Sequence, residues 1–319
     1  MKINKIIFMG TPQFAVPALQ LLSEKGYQPV LCVTQPDKPQ GRKQRLTAPV
    51  LKQKAQELGI AVFQPENINS RESLERIRYE RPDLIVTAAY GGYIGRELRR
   101  LPKKGAVNIH PSLLPAWRGA TPVNASLWAG DKITGVTIFR LVAKMDAGPV
   151  LSQSSYHILE EDNYSTLLVK LADQGASDLL ELISRFENDS VVEIAQDEKL
   201  VSICHKLEKD DLQIDWHNQA EQIYNQVRAL AEKPGAATSF RNKPVKIIAV
   251  RRSGVKTAAN PGSVIEVIKN QGILLATGNE QILITKVQPA GKKVMTGYDF
   301  NLGARIVNGE KFGAEDENK

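Results

Sequence analysis

SRESLERIRYERPDLIVTAAYGG, residues 70–92, carries one complete helix-to-strand unit. Ser70–Arg81 reads as a helix ended by Pro82, and Leu84–Ala89 as a buried strand that stops at Tyr90-Gly91-Gly92. The same unit recurs upstream. Lys5–Met9 is a strand closed by Gly10-Thr11-Pro12, and a helix follows over Pro17–Lys25, with Pro17 suited to its first turn and Gly26 to its end. Pro29–Thr34 is a second strand, Val50–Leu58 a helix stopped by Gly59, and Ala61–Phe63 a short strand. Downstream come strand Ala106–Ile109, helix Val123–Ala129, strands Thr134–Leu141 and Pro149–Ile158, and a long helix over Ser165–Arg185. Such alternation predicts a mainly parallel sheet with helices on both faces.

The pattern changes near residue 190. A connecting stretch to about 205 leads to one helix, Ala220–Leu230, and then to short strands between turn residues: Ala237–Phe240, Val245–Val250, Gly262–Ile268, Ile273–Ala276 and Gln281–Val287. Five short strands are what a small OB-type barrel needs. The expected organisation is a Rossmann-like α/β domain over 1–189, a linker over 190–205 and an OB-like domain over 206–319, with polar residues from Lys311 onward fraying at the end.

Composition is that of a soluble globular protein, at 42% apolar and 24% charged residues. No run approaches the roughly 18 apolar residues of a membrane span. The opening Met1–Phe8 has too short an apolar core for a signal peptide and reads as the first strand, which predicts a cytoplasmic protein; a monomer is the separate expectation for its assembly. Two cysteines, Cys32 and Cys204, give no disulfide framework, and four scattered histidines give no metal-ligand spacing. The net charge of +7 is unevenly spread: residues 241–305 hold eleven Lys and Arg against three carboxylates. A second basic cluster, Lys38, Arg42, Lys43 and Arg45, follows the second strand. Either could be a solvated surface, but a basic OB-type barrel also suits an oligonucleotide.

Asn108-Ile109-His110-Pro111 ends a strand at the carboxyl edge of the sheet, where open α/β folds bind ligands. Asn108 and His110 are two residues apart and so share one face. A lone histidine there is more readily a hydrogen-bonded core or turn residue than a functional one; paired with Asn108, the two readings stand nearly level. Asp146, in Asp146-Ala147-Gly148-Pro149, is by composition a turn former.

Several ordered motifs together resemble the folate-dependent formyltransferases: Asn108-x-His110-Pro111-Ser112-Leu113-Leu114-Pro115, Trp117-Arg118-Gly119, Gly135-Val136-Thr137-Ile138 and Met145-Asp146-x-Gly148. Within that family the chain is most similar to the branch acting on methionine attached to initiator tRNA. The supporting stretches are Phe8-Met9-Gly10-Thr11-Pro12-x-Phe14, Thr34-Gln35-Pro36-Asp37-Lys38-Pro39-x-Gly41-Arg42, Ile214-Asp215-Trp216, Pro234-Gly235-Ala236 and Gln288–Met295. The resemblance spans about residues 3–303. It implies transfer of a formyl group from 10-formyltetrahydrofolate, without a metal, to the amino group of initiator methionyl-tRNA. By the same resemblance Asn108, His110 and Asp146 are the catalytic trio and Ser112, Leu113, Leu114 and Pro115 contact the folate; Arg42, Lys43 and Arg45 are expected to meet the tRNA.

The chemistry suits those residue types. Attack of an amine on a formyl carbon builds an oxyanion beside a cationic nitrogen, which Asn108 and a protonated His110 would stabilise. Asp146 is expected to keep His110 protonated by its nearby charge and to accept the amine's proton. The chain departs from the family in having Gly92-Tyr93-Ile94-Gly95 where an aliphatic–proline pair is usual, and Pro149 where an acidic residue is common. A nucleotide-sugar formyltransferase would share the trio but has little use for the basic loop around Arg42. A glycinamide ribonucleotide formyltransferase would end near the first domain. An NAD-dependent oxidoreductase is disfavoured because Gly10-Thr11-Pro12 lacks the spaced glycines that admit a pyrophosphate. A non-catalytic RNA-binding protein would leave the trio as coincidence.

Overall fold

Ile6–Gly10 (β1) is buried at all five residues, as a parallel strand covered on both faces must be. In the computed structural model, which describes residues 2–41 and 44–313, β1 is an inner strand of the sheet in the first of two units. That unit comprises Met1–Pro122, Ile133–His157 and Leu168–Cys204; the second comprises Val123–Lys132, Ile158–Leu167 and His205–Lys319.

After β1 come Val16–Glu24 (α1), Leu31–Val33 (β2), Lys38–Gln40 (β3), Arg45–Thr47 (β4), Val50–Glu57 (α2) and Val62–Phe63 (β5). Arg71–Glu80 (α3), Leu84–Ala88 (β6), Arg96–Arg100 (α4) and Ala106–His110 (β7) follow. Then come Arg118–Gly119 (β8), Pro122–Ala129 (α5), Ile133–Arg140 (β9), Val150–His157 (β10), Tyr164–Glu187 (α6) and Ile203–Cys204 (β11). Seven strands form a Rossmann-like sheet in the order β10-β9-β7-β6-β1-β2-β5. The five from β7 to β5 are parallel, while β9 runs against β7 and β10 against β9. Parallel pairing stacks Thr87 beside Asn108, and the reversal sets Thr137 beside His110.

Ile109 points to the opposite face from Asn108 and His110, and Gly175 of α6 approaches it there. A Cβ at Gly175 would lie 2.7 Å from Ile109 Cγ2, so the absence of a side chain lets the helix close over that face of β7. Residues 190–204, which read as a connecting stretch in the sequence, pair with the first unit: Ile194 bridges Val150, and β11 lies parallel to β8. The basic loop after β2 contains a small hairpin, β3 with β4, that periodicity did not signal. Cys32 is fully buried, and burial pushes its thiol up to about 12, the state of an inert core residue. Among the described residues no helix is long and apolar enough to cross a membrane.

The second unit is a mixed structure built on an antiparallel sheet. Ala220–Leu230 (α7) precedes Ala236–Phe240 (β12), Lys243–Lys256 (β13), Val264–Ile268 (β14), Gly272–Ala276 (β15), Glu280–Pro289 (β16), Met295–Thr296 (β17) and Gly297–Ala304 (α8). The strand order is β12-β13-β16-β15-β14, with β17 added beside β16. No strand-to-strand pairing closes β12 onto β14 among the described residues. Instead the segment 309–313 touches both ends: Phe312 bridges Phe240 and Lys311 bridges Ser263.

For residues 311–313 this overturns the expected fraying; residues 314–319, on which the rest of that expectation falls, lie outside the described residues. Phe312 is 1% exposed, with its ring 4.7 Å from Phe240 and 6.4 Å from Trp216 between centroids. The buried Phe312 ring pins the segment together with backbone hydrogen bonds to Val264, Gly262 and Ser239 and the Arg241–Glu310 ion pair. Burying a large ring offsets the entropy of ordering a few residues. Phe312→Ala is expected to lower stability by about 3–5 kcal/mol, read by urea unfolding. A loss below about 1 kcal/mol would mean that the segment contributes nothing to the core.

Candidate active site

The loop after β7 folds over the end of that strand, and the loop between the antiparallel strands β9 and β10, which leaves β9 beside Val107, brings Asp146 to it. Thr87 Oγ1 donates to Asn108 Oδ1 at 2.6 Å, so the amide presents its nitrogen as the outward, donating end. His110 is 4% exposed and stands edge-on to Phe139, with ring centroids 6.2 Å apart. Its Nε2 is 3.0 Å from the Trp117 carbonyl oxygen. A carbonyl only accepts, so Nε2 carries the hydrogen and the neutral ring has its basic lone pair on Nδ1. Nδ1 faces Asp146 Oδ2 at 3.8 Å, close enough for electrostatic coupling but beyond a direct hydrogen bond.

Burial pushes the His110 pKa below the ordinary imidazole value, and the Asp146 charge and the Trp117 carbonyl only partly pull it back. The expectation that Asp146 keeps His110 protonated is therefore reversed at neutral pH. Desolvation opposes charge on the ring more than a carboxylate 3.8 Å away favours it.

Asp146 sits in a left-handed turn at φ 49°, and its Oδ2 accepts the Gly119 N–H at 2.8 Å. Gly119 has φ 126°, and a Cβ there would lie 2.0 Å from the Cys204 carbonyl oxygen; only glycine fits. Gly148 is equally confined, its Cβ position lying 1.7 Å from the Arg140 carbonyl oxygen.

The segment 112–115 is bolted to the strands behind it. Thr137 Oγ1 donates to the Ser112 carbonyl at 2.7 Å and accepts the Leu114 N–H at 3.0 Å, while Gln153 Nε2 donates to the Leu114 carbonyl at 2.9 Å. Ser112 is fully buried, its hydroxyl spent on the Ala116 carbonyl at 2.6 Å, and Leu114 is buried too. Leu113 and Pro115, half-buried, form the accessible part of this wall. The departing turn at 92–95 is held by Asn69, which donates to the Tyr93 carbonyl at 2.8 Å and accepts the Gly95 N–H at 2.7 Å. Arg45 is exposed on the β3–β4 hairpin, whereas Arg42 and Lys43 lie outside the described residues. At the other end of β7, beside Gly105, a cavity of about 520 Å³ is ringed by Arg99, Arg100, Lys103, Lys104 and Arg140. Three of these cations are paired, Lys103 with Asp83, Lys104 with Asp189 and Arg140 with Glu193.

Sequence reasoning missed Thr87, Gly119 as a donor, and Gln196, whose Nε2 reaches the Asp146 carbonyl at 2.8 Å. None carries a local signal: each acts through a partner at least 20 residues away. Among the described residues no group of three or more His, Cys, Asp or Glu is arranged to hold a metal.

An edge that offers an amide donor, a buried imidazole and a carboxyl group is suited to group transfer onto an amine. Comparison with known proteins agrees: residues 3–183 match the formyl transferase family and residues 206–305 the formyl transferase C-terminal domain. A relative from Bacillus subtilis (strain 168) called methionyl-tRNA formyltransferase is 42% identical over 98% of this chain and 99% of its own. One from Geobacillus sp. (strain WCH70) with the same name is 41% identical over the same shares. Among solved structures, an N-formyltransferase from Helicobacter canadensis, in complex with folinic acid and dTDP-3-aminofucose, aligns with TM-score 0.65 and 17% identity over 88% of this chain and 99% of that one. HypX from Aquifex aeolicus in complex with tetrahydrofolic acid aligns with TM-score 0.65 and 16% identity over 94% of this chain, which spans only 47% of that longer protein. At those identities the two structures speak to the fold alone. The chain belongs to the formyl transferase family and, within it, to the methionyl-tRNA formyltransferases.

His110 is expected to titrate below the ordinary value of about 6.5 when followed by NMR, and lower still in Asp146→Asn, which removes the charge that raises it. Because the folded pKa is depressed, the neutral ring's share of stability is complete above that ordinary value and is lost as pH falls through the folded midpoint. A midpoint at or above the ordinary value would contradict the balance drawn here.

Proposed function

We propose that this enzyme moves the formyl group of 10-formyltetrahydrofolate to the free amino group of initiator methionyl-tRNA, in the cytoplasm, to supply N-formylmethionyl-tRNA for translation initiation. The acceptor follows the name shared by relatives identical to this chain at 40–42% over nearly its whole length. The chemistry rests on one observation: Nε2 of His110 is committed to the Trp117 carbonyl, which leaves Nδ1 as the basic atom, and Nδ1 faces Asp146.

Asn108 donates its amide N–H to the oxyanion that forms as the amine attacks the formyl carbon. His110, neutral at the outset, takes the proton of the attacking amine on Nδ1, directly or through one water, and Asp146 stabilises the imidazolium while it lasts. His110 then returns that proton to the departing folate nitrogen as the carbon–nitrogen bond to the carrier breaks. The fixed, largely apolar wall of Leu113, Leu114 and Pro115 fits the flat face of the folate ring, with Ser112 holding the wall's backbone rather than touching the ligand. In this reading residues 1–189 form the catalytic domain, and 206–319 an OB-like domain that binds tRNA. The antiparallel sheet whose two outer strands are linked by the segment 309–313 supports an OB-like form. Arg42, Lys43 and Arg45 then guide the methionylated end.

The acceptor is tested by offering the enzyme 10-formyltetrahydrofolate with charged initiator tRNA and, separately, with an amino-sugar nucleotide. Formylation of the tRNA alone is expected; preference for the sugar would overturn the reading. Asn108→Ala and His110→Ala should each lower kcat by about 10²–10³, with tRNA affinity little changed, and the double variant should fall short of the product of the two. Wild-type turnover in either removes that residue from the mechanism. Replacing Arg42, Lys43 and Arg45 together by Ala should weaken tRNA use and flatten its salt dependence by roughly 0.7–0.9 log units per lost phosphate contact, with folate affinity intact. An unchanged salt slope would take the loop out of the tRNA interface.

A further inference from the structure

The segment 194–204 runs beneath both loops that carry the trio. On one side Ile194 exchanges two backbone hydrogen bonds with Val150, at 2.7 and 2.9 Å, just after the Asp146 turn. On the other, Ser202 accepts the Trp117 N–H on its hydroxyl and the Arg118 N–H on its carbonyl, both at 2.9 Å. Between these anchors Gln196 spends its whole amide on the site. Nε2 donates to the carbonyls of Asp146 (2.8 Å) and Gly148 (2.7 Å), spanning the turn, and Oε1 accepts from Arg118 Nε (3.0 Å) and NH2 (2.7 Å). Arg118 is 3% exposed and also donates to Glu198 at 2.9 Å. Glu198 in turn holds Lys144 of the Asp146 loop at 2.5 Å. The hydrogen bonds from Arg118 and Lys144 hold the Glu198 carboxyl down to about 2.

We infer that Gln196 is a positioning residue for the transfer step, whose two amide hydrogens clamp the Asp146 turn so that the carboxylate faces His110. The inference rests on the assignment of Asp146 to the transfer. A left-handed turn at a non-glycine residue is not self-supporting, and Gly119 fixes only the side chain of Asp146, not its backbone. The clamp supplies the second fixed point. Its donors matter separately from its acceptor: Oε1 satisfies buried Arg118, whereas Nε2 acts only on the turn.

That division sets the test. Gln196→Glu keeps an acceptor for Arg118 but loses both N–H donors and turns a carboxylate toward two carbonyls. Gln196→Ala loses both functions. In the full-length enzyme, Gln196→Glu is expected to lower kcat about 10–100-fold, the usual cost of a small misplacement of a reacting group. KM for 10-formyltetrahydrofolate should stay within about twofold and Tm near the wild-type value. The His110 midpoint should drop further as the Asp146 carboxylate moves away. A residue holding Arg118 alone would leave Gln196→Glu with normal turnover and an unmoved His110 midpoint. That outcome, with Asp146→Asn inactive, overturns the clamp and leaves the role of Asp146 intact. Wild-type turnover in Asp146→Asn overturns both.

Discussion

The hydrogen bond from the Gly119 N–H to Asp146 Oδ2, 2.8 Å long, joins two loops that the sheet launches 27 residues apart. It turns a carboxylate in a tight turn toward a histidine at the end of a strand. That orientation depends on a glycine. With φ at 126° and the Cys204 carbonyl where a Cβ would sit, no other residue lets the backbone come close enough to donate. Burial completes the arrangement. Phe139 packs edge-on against the ring, the Trp117 carbonyl accepts its Nε2 hydrogen, and burial lowers its pKa, which supports the proposed role of His110 as a neutral base.

Much of this edge was legible in the sequence. Asn108 and His110 share a face because strand periodicity is two, and Pro111 marks where the strand leaves the sheet. Asp146 was not legible by composition, since Asp before Ala-Gly-Pro reads as any turn; only the family resemblance lifted it out. Thr87 stayed hidden because a threonine within a buried strand looks like an ordinary strand former, although it sets which end of the Asn108 amide faces outward. Gln196 and Arg118 were hidden by distance. They meet across 78 residues, and a polar stretch between two domains gives no local hint that one glutamine in it grips a turn 50 residues earlier.

The two corrections have a common physical cause. Reasoning from charge made His110 a cation, and reasoning from polarity made the segment after Lys311 a loose end. In both places burial decides. Removing an imidazole from water costs more than a carboxylate beyond hydrogen-bonding distance restores, and one phenyl ring placed against Phe240 and Trp216 helps secure a segment whose other residues are polar. The second sheet shows the same limit. Its strands were readable one by one from turn residues, but β13 proves to be 14 residues long and the segment 309–313 reaches both outer strands, features that only pairing reveals.

The proposed transfer begins with a neutral His110 facing the Asp146 carboxyl group. The pH dependence of the single-turnover rate, with charged tRNA and 10-formyltetrahydrofolate both saturating, tests it most directly. A rate that rises from acid pH through the His110 midpoint, and holds or increases from about pH 6.5 to 8 as the amine (pKa near ~8) loses its proton, is the predicted result. A rate that peaks below about pH 6.5 and falls as His110 loses its proton would contradict it.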